Sequence, residues 1–292
     1  MQTLAERMID CGYLPQELPT PGKVKRFPAP EKTMSNGSAW IMGLDHKAAI
    51  FGDWITGARF VWSAEDKREM THQERYQLDA QLKQARKKVE IELQVQYEQA
   101  AKRAKGIYEK SVDVVSHAYL ARKGILAHGI KQYGNSLIIP MIDSSLEINT
   151  VQSISPDGFK KFMPKGKTKG CYYPLQIGEK DKRTVIAEGF ATAASLLEFY
   201  YQDATVVAAF SGANLKNVAK TFKELLPDNQ IIIAGDNDTK SKHNVGKRYA
   251  IEAATLVGGI IDIPEFYGNE IGTDWNDRAM IDFAHLLDGE TA

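Results

Sequence analysis

Short apolar runs alternate with longer helical segments in the last third of the chain, and this alternation constrains the fold more than any other feature. We predict strands at 184–187, 205–209, 230–234 and 260–263, separated by helices at 191–201, 215–226 and 245–256. Strands that alternate with helices are typical of a mostly parallel sheet with helices on both faces. Right-handed crossovers then place every strand-to-helix turn at one edge of that sheet.

Two of these turns are acidic. Glu188 follows the first predicted strand, and Asp236 and Asp238 follow the third. Ligands of open α/β sheets bind outside the carboxyl ends of the strands, so we expect the three side chains to meet in one crevice. Three neighbouring carboxylates cannot all stay ionised without a cation, and oxygen ligands with no Cys or His nearby favour Mg²⁺ or Mn²⁺. The alternative is that Asp236 and Asp238 only form a turn and cap a helix.

The composition argues against several other classes of protein. Cys11, Cys171 and the six histidines form no CxxC or HxxxH pair, so we expect no zinc site. No stretch approaches the ~20 apolar residues of a membrane span, and the N-terminus has no signal-peptide core. We therefore expect a cytoplasmic protein without membrane contacts. Lys+Arg and Asp+Glu are both 37, so any contact with nucleic acid must come from local basic patches.

Changes in composition divide the chain into four predicted segments. These are a small N-terminal mixed β module at 1–64, a long charged helical connector at 65–111, an α+β lead-in at 112–183 and the α/β domain at 184–292. In the first segment, prolines break regular structure before three short strand-like runs at 39–42, 48–51 and 59–62. The lead-in contains a predicted antiparallel meander at 137–142, 148–154 and 159–163.

The predicted connector has no Gly or Pro between Ala64 and Gly106, and its apolar residues recur at steps of three and four. This periodicity predicts a long amphipathic helix with a mixed-charge polar face. Mixed charge is typical of a solvated connector or of an antiparallel helical hairpin packed on a neighbour. A nucleic-acid-binding arm is the alternative.

Several of these segments together resemble a known family. The segment 185–189 (VIAEG) resembles the first motif of Toprim domains, and 231–238 (IIIAGDND) resembles the second. Upstream, 118–125 (AYLARKGI) is similar to the start of the bacterial primase polymerase core, and 274–277 (DWND) is similar to the closing motif. The resemblance covers roughly residues 116–278 and is closest to Toprim primases of plasmids and phages.

The resemblance implies a function and assigns roles to the three carboxylates. In Toprim enzymes the glutamate does general acid/base or metal-linked work, which falls on Glu188, and the two aspartates bind Mg²⁺, which falls on Asp236 and Asp238. The implied reaction is the synthesis of short RNA primers from NTPs on single-stranded DNA. No Walker A motif is present, so a replicative helicase would be a separate partner. A Toprim nuclease and a non-catalytic nucleic-acid-binding replication or defence module are the alternatives.

Basic residues supply candidates for nucleotide and template binding. Lysines at 160, 161, 165, 167 and 169 lie close together just before the acidic strand. We expect Lys160, Lys161 and Lys165 to form an electrostatic cradle for the triphosphate or the template, the alternative being a solvated hairpin rim. Further candidates from outside this cluster are Arg122, Lys123 and Lys247. Asp274 either extends the acidic site or caps the last helix, and Asp277 is expected to be a cap.

Overall fold

The computed structural model describes residues 2–30, 37–45, 47–54, 56–65, 70–237 and 244–289, the last five of these as backbone only. The chain divides into two compact units, residues 1–95 and 96–292. One long helix contributes its first part to the first unit and its last part to the second. Among the described residues, no helix has the length and apolar character that crossing a bilayer requires.

A four-stranded antiparallel sheet forms the centre of the first unit. Its elements are α1 (Leu4–Asp10), β1 (Val24–Phe27), β2 (Ala39–Gly43), β3 (Ala48–Asp53), β4 (Arg59–Ser63) and the first part of α2 (His72–Glu109). The strands lie in the order β1-β2-β3-β4. The three predicted strands are present, whereas β1 was not predicted because its apolar residues are few and prolines lie on both sides of it.

Each face of this sheet is covered by a helix. Met8 of α1 packs with Phe51 on one face, and Leu82 and Val89 of α2 pack with Trp40 on the other. Helix α2 begins only after Thr71, whose hydroxyl accepts the Glu74 N–H while the Glu74 carboxylate accepts the Thr71 N–H. The helix is continuous over 38 residues, so the predicted alternative of a helical hairpin is wrong.

The second unit begins with an antiparallel meander. After the last part of α2 it contains β5 (Val112–Asp113), α3 (Ala118–Lys123), β6 (Lys131–Tyr133), β7 (Ser136–Ile142), β8 (Ile148–Ile154) and β9 (Lys160–Phe162). The strands lie in the order β5-β6-β7-β8-β9. The predicted three-stranded meander is confirmed in β7, β8 and β9, whereas the short strands β5 and β6 were not predicted. Ala104 of α2 packs against Ile138 and Val151 on one face of this sheet.

A mostly parallel five-stranded sheet follows. Its strands are β10 (Tyr173–Gln176), β11 (Arg183–Ala187), β12 (Thr205–Ala208), β13 (Gln230–Ala234) and β14 (Ile260–Asp262). Its helices are α4 (Phe190–Ser195), α5 (Gly212–Leu225), α6 (Val245–Val257) and α7 (Trp275–Gly289). The four predicted strands are parallel, and β10 adds an antiparallel edge that was not predicted.

Alternating side chains of the parallel strands form two cores. Ile186 and Ile233 face α5 and α6, whereas Val185 and Ile232 face α4. The predicted arrangement of a mostly parallel sheet with helices on both faces is confirmed. The predicted helix 191–201 differs in detail, because α4 ends at Ser195 and the next five residues form one turn of π-helix, a wider coil that is found often at functional sites.

Strand order places the carboxyl ends of β11 and β13 side by side. The sheet order is β10-β12-β11-β13-β14, so the chain leaves β11 for β12 on one side and then crosses to β13 on the other. Such a reversal opens a crevice at the carboxyl edge of the sheet. The opposite face of the meander, with Leu137 and Ile139, packs on Phe190 of α4 and so places the meander beside this crevice.

Packing of α2 on the first sheet can be tested by shortening one buried side chain. Leu82 is 5% exposed, and Leu82→Ala should lower the free energy of unfolding by about 2–5 kcal/mol. Ile91 on the same helix is 56% exposed, so Ile91→Ala should change the free energy of unfolding by no more than about 0.5 kcal/mol. Urea unfolding followed by tryptophan fluorescence measures both, since Trp40, Trp54 and Trp62 lie in this unit. Equal effects of the two changes would contradict the packing.

Candidate active site

Two of the three predicted carboxylates lie at the ends of neighbouring parallel strands. Ala187 of β11 is in register with Ala234 of β13, and paired strands lie about 4.8 Å apart. Glu188 is the next residue after Ala187, and Asp236 is the second residue after Ala234. Both residues are half-buried, and Oδ1 of Asp236 is fully buried. The pairing of β11 with β13 therefore brings these two side chains to one place at the sheet edge.

Two glycines let helices approach these carboxylates closely. A Cβ on Gly212, the first residue of α5, would lie 3.0 Å from Oε2 of Glu188. A Cβ on Gly246, in the first turn of α6, would lie 3.0 Å from the Cβ of Asp236. The N-terminus of a helix carries partial positive charge, which stabilises a nearby carboxylate. Both acidic side chains therefore lie at helix N-termini as well as at strand ends.

Three hydrogen bonds of Asn237 hold the backbone that follows Asp236. Its N–H donates to the carbonyl of Thr273 (2.6 Å), its amide donates to the carbonyl of Pro264 (2.9 Å), and its side-chain oxygen accepts from Asn244 (3.2 Å). These bonds fix the backbone on the C-terminal side of Asp236.

The third predicted carboxylate, Asp238, lies outside the described residues. Within the described ranges there is no group of three or more His, Cys, Asp and Glu side chains that could hold a metal ion. The described part of the site therefore consists of two strand-end carboxylates, Glu188 and Asp236, whose oxygen atoms suit Mg²⁺ or Mn²⁺.

Lys160 reaches this carboxylate pair from β9 of the meander. A Cβ on Gly189 would lie 3.8 Å from its Nζ. Desolvation of the ammonium group, although the residue as a whole is exposed, and the positive charge of Lys123 lower the pKa of Lys160. The negative charges of Asp274, Asp236 and Glu188 act in the opposite direction. Lys160 is thus a cation placed among the predicted acidic residues.

The other lysines of the predicted cradle lie elsewhere. Lys161, the next residue on β9, is paired with Ser153 and lines a shallow pocket with Ile138 and Val151 on the other face of the meander. Lys165 is exposed, with a left-handed backbone (φ 66°). Successive strand residues point to opposite faces, which separates Lys160 from Lys161.

Lys167, within the same basic run, is used in a local ion pair. Its Nζ lies 2.7 Å from Oδ2 of Asp143. Desolvation acts to raise the pKa of Asp143, but hydrogen bonds from Lys167 and from the N–H and hydroxyl of Ser145 lower it to about 2. This pair fixes the loop after β9 to the end of β7.

The remaining basic candidates occupy different positions. Arg122 donates to the carbonyl of Pro156 (3.0 Å), and its guanidinium lies over the ring of Tyr119. Lys123 lies 3.9 Å from Oδ1 of Asp277 and acts electrostatically on Lys160. Lys247 is exposed in the first turn of α6, where its N–H is capped by Asn244.

Asp274 and Asp277 both cap helix α7. Oδ1 of Asp274 accepts the N–H of Asp277 (2.9 Å), and Asp277 in turn accepts the N–H of Thr273 (2.9 Å). The other oxygen of Asp274 lies 3.5 Å from the hydroxyl of Thr192 on α4. Asp274 therefore serves as a cap and also lies beside the acidic site, where it acts on Lys160. Asn276 lies between Asp274 and Asp277 in the sequence. It was not among the predicted site residues, although the motif at 274–277 contains it.

The Toprim domain family matches residues 183–282, the part of the chain that forms the parallel sheet with strand-end carboxylates. The chain is homologous to DNA primase TraC of Escherichia coli. One such relative is 31% identical over 265 residues, which cover 85% of this chain and 24% of the relative. A second is 37% identical over 160 residues, which cover 51% of this chain and 11% of the relative.

The solved structures similar to this chain include the primase fragment of the bacteriophage T7 primase-helicase protein. That similarity has a TM-score of 0.44 and 18% identity, and it covers 60% of this chain and 76% of the other. The chain spans a quarter or less of the length of the TraC relatives that it matches.

The Asp143–Lys167 pair predicts a specific loss of stability with acid. The pKa of Asp143 is lowered in the folded protein. The ion pair therefore stabilises the folded protein above about pH 4, and this stabilisation is lost as the pH falls towards 2. Asp143→Asn should lower the free energy of unfolding at pH 7 by about 1–2 kcal/mol. Urea unfolding at several pH values measures this free energy. Lys167→Met should lower it by the same amount, because it removes the other half of the pair. A deficit of the Asn variant that persists at pH 2 would show that another interaction is responsible.

Proposed function

We propose that the chain is a Toprim-type DNA primase, which synthesises short RNA primers on single-stranded DNA by metal-dependent nucleotidyl transfer. The observation that carries the proposal is the meeting of Glu188 and Asp236 at adjacent strand ends, with Lys160 beside them. The homology to DNA primase TraC supports it, because an alignment that covers 85% of this chain must include the meander and most of the Toprim-matching residues.

The donor set fits a divalent cation. Glu188 and Asp236 offer only oxygen ligands, and Asp238 follows two residues later in the sequence. These residues would hold Mg²⁺ or Mn²⁺. When bound, the ion would lower the pKa of the attacking 3′-hydroxyl and neutralise charge on the phosphates. Two carboxylates near each other repel, and their placement at the N-termini of α5 and α6 offsets part of that repulsion.

The protein's own cations would bind the nucleotide. Lys160 lies among the carboxylates with Lys123 close by, so its ammonium group is placed to contact the phosphates of an incoming nucleoside triphosphate. Oriented phosphates bring the α-phosphorus within reach of the primer 3′-hydroxyl, and positioning of this kind is a large part of catalysis in phosphoryl transfer. The partner that this function requires is the single-stranded template, and a separate replicative helicase would join it where priming is coupled to unwinding.

Neutralising the two carboxylates should abolish primer synthesis. Glu188→Gln and Asp236→Asn keep the size of each side chain and remove its charge, so each should lower kcat by at least about 10²–10³-fold. The assay supplies single-stranded DNA, the four NTPs and Mg²⁺, and detects oligoribonucleotides. Glu179→Gln, which changes an exposed residue outside the site, is the matched control.

Other outcomes of that assay would identify a different function. Cleavage of DNA or RNA that needs Mg²⁺ and Glu188 but no NTPs would indicate a Toprim nuclease. Variants at both carboxylates that behave as wild type, with no Mn²⁺ binding by calorimetry, would indicate a non-catalytic nucleic-acid-binding module.

The two neighbouring lysines of β9 should differ in their effects. Lys160→Ala should raise the KM for NTPs by about tenfold or more, because a charge-assisted contact contributes about 1.5–3 kcal/mol. Lys161→Ala should have a smaller effect, because Lys161 lies on the other face of the strand. Steady-state primer synthesis at varied ATP concentration measures both. A larger effect at Lys161 would contradict the assignment of Lys160 to the nucleotide.

A further inference from the structure

Asn276 joins the meander to the Toprim domain through a buried amide. The residue is only 1% exposed. Nδ2 donates to the carbonyl of Lys123 at the end of α3 (2.7 Å) and to the hydroxyl of Ser195 at the end of α4 (2.8 Å). Both amide hydrogens are therefore used, and a buried amide with both donors bonded has one fixed orientation. The bond to Lys123 links residues 153 positions apart in the sequence.

Asp277, the residue after Asn276, contacts the ammonium group of the same lysine, Lys123. Oδ1 of Asp277 lies 3.9 Å from Nζ of Lys123, in the first turn of α7. Consecutive residues of one helix therefore fix the backbone and the ammonium group of Lys123. The ion pair alone is half-exposed and contributes little, so the buried hydrogen bond from Asn276 is the stronger constraint.

Lys123 and Lys160 both lie at the acidic N-terminus of α7. Nζ of Lys123 is next to Asp277, whose N–H donates to Asp274. Asp274 in turn contacts the hydroxyl of Thr192, and a Cβ on Gly189 would lie 3.7 Å from that hydroxyl and 3.8 Å from Nζ of Lys160. Two ammonium groups in one such region repel each other. The carboxylates around them belong to the site described above, and Asp277 neutralises only Lys123. A pair of lysines kept together by a separate constraint suits a ligand with several negative charges, such as a triphosphate.

We propose that Asn276 is a positioning residue, which holds Lys123 beside Lys160 so that both ammonium groups bind the phosphates of the incoming nucleotide. This inference rests on the proposed primase function. Asn276 itself touches no substrate, because it is buried between α3, α4 and α7. Its effect on the nucleotide is exerted through Lys123.

The test compares three single variants and one double variant. Asn276→Leu keeps a similar volume and removes both donors, and Lys123→Ala removes the ammonium group. Ser195→Ala is the control, because it removes the partner on α4 and leaves the bond to Lys123. For each variant of the whole 292-residue chain, KM and kcat for ATP are measured in primer synthesis on single-stranded DNA with Mg²⁺, and folding is checked by thermal melting.

Asn276→Leu and Lys123→Ala should each raise the KM for ATP about tenfold with little change in kcat, the size expected for one charged contact. The KM of the double variant should also rise only about tenfold, since both changes remove the same contact between Lys123 and the nucleotide. Ser195→Ala should keep the wild-type KM. If Asn276→Leu does not fold, Asn276→Asp, which keeps the size and loses the donors, takes its place with the same expectation.

Three results would overturn the inference while wild type remains active. These are a fall in kcat alone, a KM raised about 100-fold in the double variant, and the same rise in KM for Ser195→Ala as for Asn276→Leu. A wild-type protein that makes no oligonucleotide overturns the proposed function instead. In that case the role of Asn276 in nucleotide binding is tested by the affinity for a fluorescent ATP analogue. Equal affinities of wild type and Asn276→Leu would overturn that role as well.

Discussion

The parallel pairing of β11 with β13 is the constraint on which the functional site depends. Ala187 and Ala234 lie in register, and the residues that leave these strands carry Glu188 and Asp236 to the same edge of the sheet. The strands are buried on both faces, so a shift of register would move a whole row of apolar side chains out of the core. Hydrophobic packing therefore holds together two negative charges that would otherwise repel.

The meander supplies the cations that this edge lacks. Its inner face packs on α4, and the 3-residue strand β9 then extends Lys160 to the carboxylates. A second link lies just after α4, where Glu198 in the π-helical turn accepts the N–H of Leu126 (2.9 Å) and contacts His128 (2.5 Å). The amide of Asn276 bonds the end of α3, and the hydroxyl of Tyr173 in β10 donates to the carbonyl of His128, so polar contacts attach the segment before β6 to the five-stranded sheet and its helices at several points. The geometry of a site shared by two sheets depends on such contacts.

Local sequence patterns predicted most of the elements and few of their partners. Alternation of strands and helices after Arg183 indicated the parallel sheet, and the interruptions around 143–147 and 155–158 indicated the meander. The short strands β1, β5, β6 and β10, which lie at or next to a sheet edge, were missed, because such a strand is defined by its neighbour more than by its own residues. The π-helical turn was missed for a similar reason, since 191–201 has the apolar spacing of an ordinary helix and its wider turn depends on tertiary contacts.

The sequence by itself determined which carboxylates end the central strands, because strand–helix periodicity and acidic turns are local features of the chain. It also determined that basic residues precede the acidic strand. Only the tertiary structure decided which of them reach the site: Lys160 meets the carboxylates, Lys161 faces the other way, and Lys167 is paired with Asp143. It likewise decided that Asn276 supports Lys123. The physical reason is that charge and hydrogen-bond partners depend on distances in space, which a run of similar lysines or one buried amide does not encode locally.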